Sequence, residues 1–533
     1  SVYAFALMLF CFLVGLGGGA SVSRRLLDRG LSAGIGLAYS YLGMAFVIVL
    51  GLFWWDQIPA YFESFADYGD TKTFEQREFV RFVTCALTML PVSTLIGMAY
   101  PFSMELVGQA WPNIRLLALG RAAASNTLGN IVGALIGGFV LIPILGSFST
   151  LELIAGTSLG LGVLIAWSLP THERRRLVLP LLVCMALFPC LPDGFKMDQL
   201  ASGANVYFHA QGYGQVIDYA ESLDGGLTTV QRTEEENGDV IYTLLTNGKF
   251  QGDSSDKREM RAQVGFGLVP MLHTSARQRS LVVGFGTGVT ARTLHDGGFE
   301  TVDIVELSGD LLRLAKTYFS RKNGKVLSRN SVNTFVTDGR NYLMLTENEY
   351  DLISVEVSSI WFAGAASLYN SEFYRLAKSR LSPKGVFQQW IQLHRLSPTD
   401  LVSIIATMRN EFENVWLYMV GGQGMMVACL DDCPPKPEIA DTLMHVPNLQ
   451  PLLDIFGGKR PDLSKNLLLN PRELDRFLMG MSALGINALN LISSDNNHLL
   501  EYSTPRANVR PYEASLKANI ALFDQYKNQP KSP

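Results

Sequence analysis

Apolar residues are spread unevenly along this chain. Over positions 1–195 they gather into runs of about 20, the length that crosses a hydrocarbon core. These are Tyr3 to Ala20, Ala33 to Trp55, Phe79 to Phe102, Ala122 to Leu145, Thr150 to Leu169 and the shorter Leu177 to Leu191. One apolar run follows another, unlike a cleaved leader, so the pattern predicts a multi-pass α-helical membrane domain of about six spans. The chain begins without Met and almost inside the first run, so missing N-terminal residues, and with them a further span, are expected.

Beyond position 195 the apolar runs are short. From Asn205 to Gly252, β-branched and aromatic stretches are broken by Asp224-Gly225-Gly226, Asn237-Gly238 and Asn247-Gly248. Such dipeptides tolerate positive φ and favour hairpins, so a small antiparallel sheet is expected. The stretch Leu281 to Asp310, LVVGFGTGVTARTLHDGGFETVDIVELSGD, then reads strand, turn, helix, strand. Val332 to Gly339 gives a third strand and Leu352 to Glu356 a fourth; Ser371 to Leu381 reads as a helix and Gly385 to Trp390 as a strand. Alternation of this kind predicts a Rossmann-like α/β sheet. The expected domains are 1–195 (membrane), 196–275 (β-rich), 276–433 (Rossmann-like, nucleoside-binding and catalytic) and 434–533 (a helical extension, with Asn470 capping a helix from Pro471 to Met479).

Charge and cysteine content narrow the partners. A net charge of −4 indicates no nucleic-acid partner. The six cysteines form no zinc pattern and no metal is expected; Cys429 and Cys433 could pair in an oxidising compartment. Gly129, Gly133 and Gly137 form a stripe that admits a close helix, and Pro91, Pro101 and Pro143 are expected to kink or end their helices. Arg24, Arg25, Arg29, Arg115, Arg121 and Arg174 to Arg176 share one side, which the positive-inside tendency makes cytoplasmic. With six spans the soluble half then lies outside the cytoplasm, where an adenosine cofactor is scarce. Either the sixth segment does not span or the domain works on the outer face, and the side stays open.

The candidate chemistry lies at the ends of the predicted strands. Gly284, Gly286 and Gly288 let the backbone turn tightly and approach a ligand, and Glu306, about 20 residues on, can accept hydrogen bonds from both ribose hydroxyls. Leu307 follows it, and Asp338 beside Gly339 is placed for an adenine amino group. The expected ligand is an adenosine derivative. Glu356, at the end of an otherwise apolar fourth strand, is the candidate for chemistry. The string Asn247, Gly248, Lys249, Gln251, Asp253, Asp256 and Arg261 is rich in groups able to hold a zwitterion. His273 reads as a packing or surface residue.

With these motifs on view, the chain resembles the spermidine synthase (aminopropyltransferase) family, specifically bacterial membrane-fused members of the fused transporter/spermidine synthase type. The resemblance rests on LPVSTLIGMAYPF, NTLGNIVGALIGGFVLIPILG, NGKFQGDSSDKREMRAQ, VGFGTGVT, IVEL, DGRNYL, SSIWFAGAASLYNSEFYRLAKSRLSPKGVFQQW and SSDNNHLLEYSTPR, and covers nearly the whole chain. It implies a class I methyltransferase-like fold behind a β-domain, a homodimer, an inner-membrane location, and S-adenosylmethionine or its decarboxylated form as substrate. It further implies that Glu306 and Leu307 hold the ribose side, Asp338 and Gly339 the adenine, Gly284 to Gly288 the approach of the nucleoside, and Gln251 the propyl-amine end. Asp256, Arg261, Ser358, Ser359 and Trp361 would contact the remaining substrate. The family reaction is attack of an amine on the carbon beside the sulfonium, releasing methylthioadenosine.

Departures from the family pattern bear on the substrate. The family's Asp-Ser-Ser-Asp loop reads Glu356-Val357-Ser358-Ser359-Ile360, and its Tyr-His-Glu segment reads Met260-Arg261-Ala262, so two acids are replaced and Arg261 is expected nearby. An amine of pKa about 10 needs a base before it attacks, whereas a carboxylate of pKa about 4 is already a nucleophile. Intact S-adenosylmethionine could therefore cyclise without an acceptor to methylthioadenosine and a homoserine lactone, helped by effective molarities on the order of 10⁵ M. A methyltransferase and a non-catalytic nucleoside-binding sensor or transporter are the other readings.

Overall fold

The computed structural model describes residues 1–65, 73–222, 226–256, 258–356, 359–456 and 463–527. The chain divides into two compact units, Tyr3–Gly212 with Glu221–Gly226, and Tyr213–Ala220 with Leu227–Pro533, the first two residues clustering with the second.

In the first unit four helical runs are long and apolar enough to cross a membrane: Val2–Asp28, Ala33–Leu52, Phe74–Ala110 and Pro112–Ser168. The first three are α1, α2 and α3. The last contains α4 (Arg115–Ile136), a π-helical turn Gly137–Leu141 and α5 (Ile142–Ser168), and it is broken at Gly146, whose φ of 76° and ψ of 171° are not helical. The fourth and fifth expected spans thus lie on either side of one glycine. The sixth falls within α6, Thr171–Leu187, where Arg174 to Arg176 occupy the first turns and leave too little apolar length. Pro91 and Pro101 sit inside α3, which continues through both, and only Pro143 stands at a helix start. Gly15 and Gly19 on α1 and Gly97 on α3 allow close packing: a Cβ on Gly19 would fall 2.0 Å from the Thr94 carbonyl and one on Gly97 2.3 Å from that of Leu16. At Gly129, Gly133 and Gly137 a Cβ would meet nothing within 4 Å, so that stripe faces open space among the described residues.

The second unit opens with a four-stranded antiparallel sheet in the order β1 (Gln215–Ser222), β2 (Gly226–Glu234), β3 (Val240–Thr246), β4 (Lys249–Asp253). Asn247 (φ 52°) and Gly248 (φ 77°) form the β3–β4 turn and Gly238 (φ 85°) lies in the β2–β3 connection, as their dipeptides predict. The predicted turn at 224–226 lies largely outside the described residues. A bulge shifts the register between Leu244 and Leu245, leaving Gln251 without a partner opposite. Helix α7, Arg258–Met271, then leads into the main sheet.

That sheet has eight strands in the order β12-β10-β11-β9-β8-β5-β6-β7. In chain order they alternate with helices: β5 (Arg279–Val283), α8 (Val289–Asp296), β6 (Thr301–Glu306), α9 (Gly309–Tyr318), β7 (Val332–Val336), α10 (Gly339–Leu345), β8 (Tyr350–Val355), α11 (Ser371–Ser379), β9 (Leu381–Ile391) and α12 (Pro398–Glu411). β10 (Asn414–Val420) and β11 (Gln423–Cys429) form an antiparallel hairpin, with β12 (Leu467–Leu469) beside β10. The β5–β6, β5–β8, β6–β7 and β8–β9 pairs are parallel. Covered on both faces, Leu281, Val282, Ile304, Leu352 and Ile353 are fully or almost fully buried, which explains their unbroken apolar runs. The chain progresses outward in one direction through β6 and β7 and in the other through β8 and β9. Its direction therefore switches between β5 and β8, the crevice where open α/β sheets bind ligands.

Candidate active site

The glycine turn after β5 and the acid after β8 are clamped together. Glu356 N–H donates to the Val283 carbonyl at 2.9 Å. A Cβ on Gly284, which has φ 90°, would lie 2.8 Å from the Glu356 carbonyl oxygen, so only glycine fits there without displacement. Gly286 (φ 54°) faces open space, and Gly288 (φ 85°) caps α8. One strand over, both Glu306 carboxylate oxygens are engaged: Phe285 N–H donates to Oε2 at 2.8 Å and Ser308 N–H to Oε1 at 3.1 Å. Burial pushes the Glu306 carboxyl up while these donors hold it down. The outcome is a fixed acceptor with lone pairs to spare. Leu307 is 46% exposed beside it. Asp338 is exposed and caps α10 by accepting from Asn341 N–H at 2.8 Å, and Gly339 packs where a Cβ would strike Val283. The ends of β5, β6, β7 and β8 thus carry the expected nucleoside-binding residues to one edge of the sheet.

Glu356 is half-buried at the end of a fully buried strand. Desolvation lifts its carboxyl to about 8, opposed by hydrogen bonds from Thr290 and Ser354 and reinforced by Glu259. Ser354 Oγ lies 3.2 Å from Glu356 Oε1 and 2.5 Å from Gln388 Oε1, and its single hydrogen serves one of the two acceptors at a time. Glu259, in the first turn of α7, is itself lifted to about 7 by burial, with a hydrogen bond from Gln263 and the charge of Lys249 opposing and Asp253 adding. Gln263 ties Glu259 to the start of α8: its Nε2 donates to Glu259 Oε1 at 3.3 Å, its backbone carbonyl accepts from Thr290 Oγ1 at 2.8 Å, and its Oε1 accepts from Thr287 Oγ1.

Other expected contacts fall elsewhere. Arg261 is exposed, its Nε donating to the Ile455 carbonyl at 3.1 Å. Two residues along a helix differ by about 200°, so Glu259 and Gln263 turn to one side of α7 and Arg261 to the other. The expected exchange of acids for an arginine is therefore not what this pocket contains. Asp256 pairs with Lys322 Nζ at 2.6 Å in a cleft of about 440 Å³ that none of Glu259, Glu306 and Glu356 lines. Ser359 and Trp361 are buried in the loop after β8, Trp361 stacked on Phe362 with centroids 4.8 Å apart; Ser358 lies outside the described residues. Gln251 occupies the β4 bulge, a device that re-aims a side chain near a site.

Sequence reasoning missed Glu259, Gln263, Ser354 and Gln388. Their signal was the four-residue spacing of Glu259 and Gln263, visible once REMRAQVGFGLV is taken as a helix. The C-terminal turn returns to the catalytic domain: Asp495 accepts from Arg340 Nη1 at 2.8 Å and Asn370 Nδ2 at 3.1 Å, and Glu501 accepts from Gly364 N–H at 3.1 Å. Cys429 and Cys433 form a disulfide. His273 is a buried packing residue, donating from Nδ1 to the Cys433 carbonyl at 2.6 Å with Nε2 2.9 Å from the Tyr418 hydroxyl.

Residues 264–421 match the family model described as a spermine/spermidine synthase domain. Polyamine aminopropyltransferase 2 of Streptomyces coelicolor is 28% identical over 313 residues, 56% of this chain and 53% of that protein. The polyamine aminopropyltransferase of Mycobacterium tuberculosis is 24% identical over 484 residues, 82% of this chain and 85% of that one. The chain thus spans about half the length of the first relative and most of the second. Among solved structures, spermidine synthase from Thermotoga maritima is 18% identical, covering 43% of this chain and 78% of that chain with a TM-score of 0.37. Residues 264–421, which carry the glycine turn, Glu306, Asp338 and Glu356 at the carboxyl ends of their strands, are thus similar to the spermine/spermidine synthase domain.

Proposed function

We propose that this protein is a membrane-bound transferase that cleaves the sulfonium of S-adenosylmethionine, intact or decarboxylated, and transfers its three-carbon amine arm to an amine acceptor. The observation that carries the reading is Glu356, half-buried and held against the glycine turn by its N–H to the Val283 carbonyl, with the half-buried Glu259 raising its carboxyl. An amine acceptor arrives as an ammonium. A carboxyl lifted to about 8 is well matched to take its proton near neutral pH. The freed nitrogen bonds to the carbon next to sulfur, the carbon–sulfur bond breaks, and the electron pair neutralises the sulfonium to the thioether of methylthioadenosine. Glu356 keeps the proton. In their ionised forms the two carboxylates also favour the cationic reactants electrostatically.

Glu259 restores an acid that the loop sequence lacks, and Arg261 points away, so the premise for acceptor-free cyclisation is not met. The apolar runs support a membrane location. Phe5, Leu116, Ile144 and Trp167 are 60%, 88%, 72% and 72% exposed, a degree of apolar exposure that water disfavours and lipid accepts.

The test is mass spectrometry of the detergent-purified protein with decarboxylated S-adenosylmethionine plus a diamine, and with intact S-adenosylmethionine with and without an amine. Methylthioadenosine together with an alkylated amine supports the reading. S-adenosylhomocysteine as the nucleoside product would replace it with methyl transfer.

A further inference from the structure

The transfer chemistry leaves one buried cation unused. Lys249, the first residue of β4, is only 9% exposed. Among the described residues its Nζ has no hydrogen bond and no ion pair within 4 Å; it lies over the face of the Phe362 ring, whose centroid is 5.9 Å away. An ammonium with little solvent around it and no acceptor on the protein is costly to keep. Burial accordingly lowers Lys249 to about 8, with the Glu259 charge acting against that fall. The same lysine helps hold His394 down, after burial and Arg395, and the buried His394 Nδ1 has no hydrogen-bond partner.

Lys249 and Glu259 therefore stand on two packed elements, β4 and α7, each within reach of the other's charge, and Glu259 in turn acts on Glu356. A diamine brings only cations and would meet Lys249 as a like charge. An amino-carboxylate group brings both signs. Its carboxylate gives Lys249 the acceptor it lacks, while its ammonium faces Glu259. The polar stretch separates accordingly: Asp256 and Arg261 turn outward, Lys249 is buried and Glu259 half-buried.

We propose that Lys249 and Glu259 form the recognition position for an amino-carboxylate, so that the pocket selects a substrate bearing an α-amino-acid group over a plain polyamine. This rests on the transferase reading above. The group has two sources, a donor that keeps its carboxylate or an acceptor that is a diamino acid.

Calorimetric binding to the detergent-purified full chain tests it in two arms. The donor arm compares intact with decarboxylated S-adenosylmethionine. The acceptor arm, with methylthioadenosine saturating, compares ornithine with putrescine, its decarboxylated counterpart. The carboxylated ligand should bind at least about tenfold more tightly in one arm. Lys249→Met should abolish that ratio and Lys249→Arg should keep most of it, while methylthioadenosine, which lacks the amino-carboxylate, binds all three proteins alike and reports correct folding. Equal or weaker binding of the carboxylated ligand in both arms, or a ratio unmoved by Lys249→Met, overturns the inference. Turnover is scored separately: absence of methylthioadenosine from every mixture removes the transferase reading, and the binding ratio still decides whether Lys249 reads a carboxylate.

Discussion

Glu356→Gln tests the chemistry most directly, because the substitution keeps the size of the side chain and removes its basicity. Burial and the neighbouring Glu259 set the Glu356 carboxyl at about 8. A group with that pKa is ionised in about one molecule in ten at pH 7 and nine in ten at pH 9, so kcat/KM should climb about tenfold across this window. The sign follows from the role: a base works deprotonated, so activity is lost as pH falls. Because Glu259 titrates nearby, at about 7, the limb belongs to the pair. It stands apart from the acceptor amine's own ionisation near pH 10. Loss of a general base costs about 10²- to 10⁴-fold in kcat. Affinity for methylthioadenosine should stay within about twofold, since the glycine turn, Glu306 and Asp338 are untouched. Initial rates of methylthioadenosine release from pH 6 to 10, for wild type and variant, supply the assay. A variant retaining more than about a tenth of kcat, or showing the same limb near pH 8, would remove Glu356 as the base.

Three further outcomes are expected. Gly284→Ala places a Cβ 2.8 Å from the Glu356 carbonyl at a φ of 90° and should lower both thermal stability, by about 1–3 kcal/mol, and turnover; an unchanged melting temperature would show that the turn relaxes freely. Glu306→Ala removes a buried acceptor fixed by Phe285 and Ser308 and should weaken methylthioadenosine binding by about tenfold or more in calorimetry, since hydrogen bonds to a charged group contribute about 1.5–3 kcal/mol; equal affinity would exclude it from the nucleoside site. Burial holds His273 at about 4 against an ordinary 6.5, so unfolding takes up a proton between these values and stability falls as pH drops from 6.5 towards 4, by up to roughly 3 kcal/mol. Denaturation midpoints at pH 7 and 4.5 should therefore differ less in His273→Gln than in wild type, and an identical difference would assign the acid sensitivity elsewhere.

The parts of the fold that were legible in the sequence are those where one local rule dominates. The parallel strands β5, β6 and β8 announce themselves as short unbroken apolar runs because both of their faces are covered. Asn470 caps α13 (Pro471–Ala483) in a reciprocal capping box with Glu473, whose two hydrogen bonds are 2.9 and 3.0 Å long. Interruptions were less legible. That helix runs past its expected end at Met479 to Ala483, through Gly480, where the Tyr526 ring packs in the place of a Cβ. Pro91 and Pro101 were expected to bend or stop α3, which continues through them, whereas the break between the fourth and fifth spans is made by Gly146 and carries no proline.

The site shows most clearly why composition alone misleads. Counting residue types across NGKFQGDSSDKREMRAQ, a reader finds Arg261 where the family has an acceptor-binding segment and concludes that the pocket has turned basic. The helical period gives the opposite sign. Glu259 and Gln263, four apart, face one way and bond to each other and, through Gln263, to Thr287, while Arg261, between them, faces another and is spent on the Ile455 carbonyl. Lys249 belongs to a different element and enters from the β-sheet just before a bulge, a position that strand alternation alone does not predict. The pocket therefore contains two carboxylates and one ammonium. Whether it prefers a polycation or a zwitterion is set by that lysine, since Glu356 and Glu259 would serve either substrate and only a carboxylate gives Lys249 a partner.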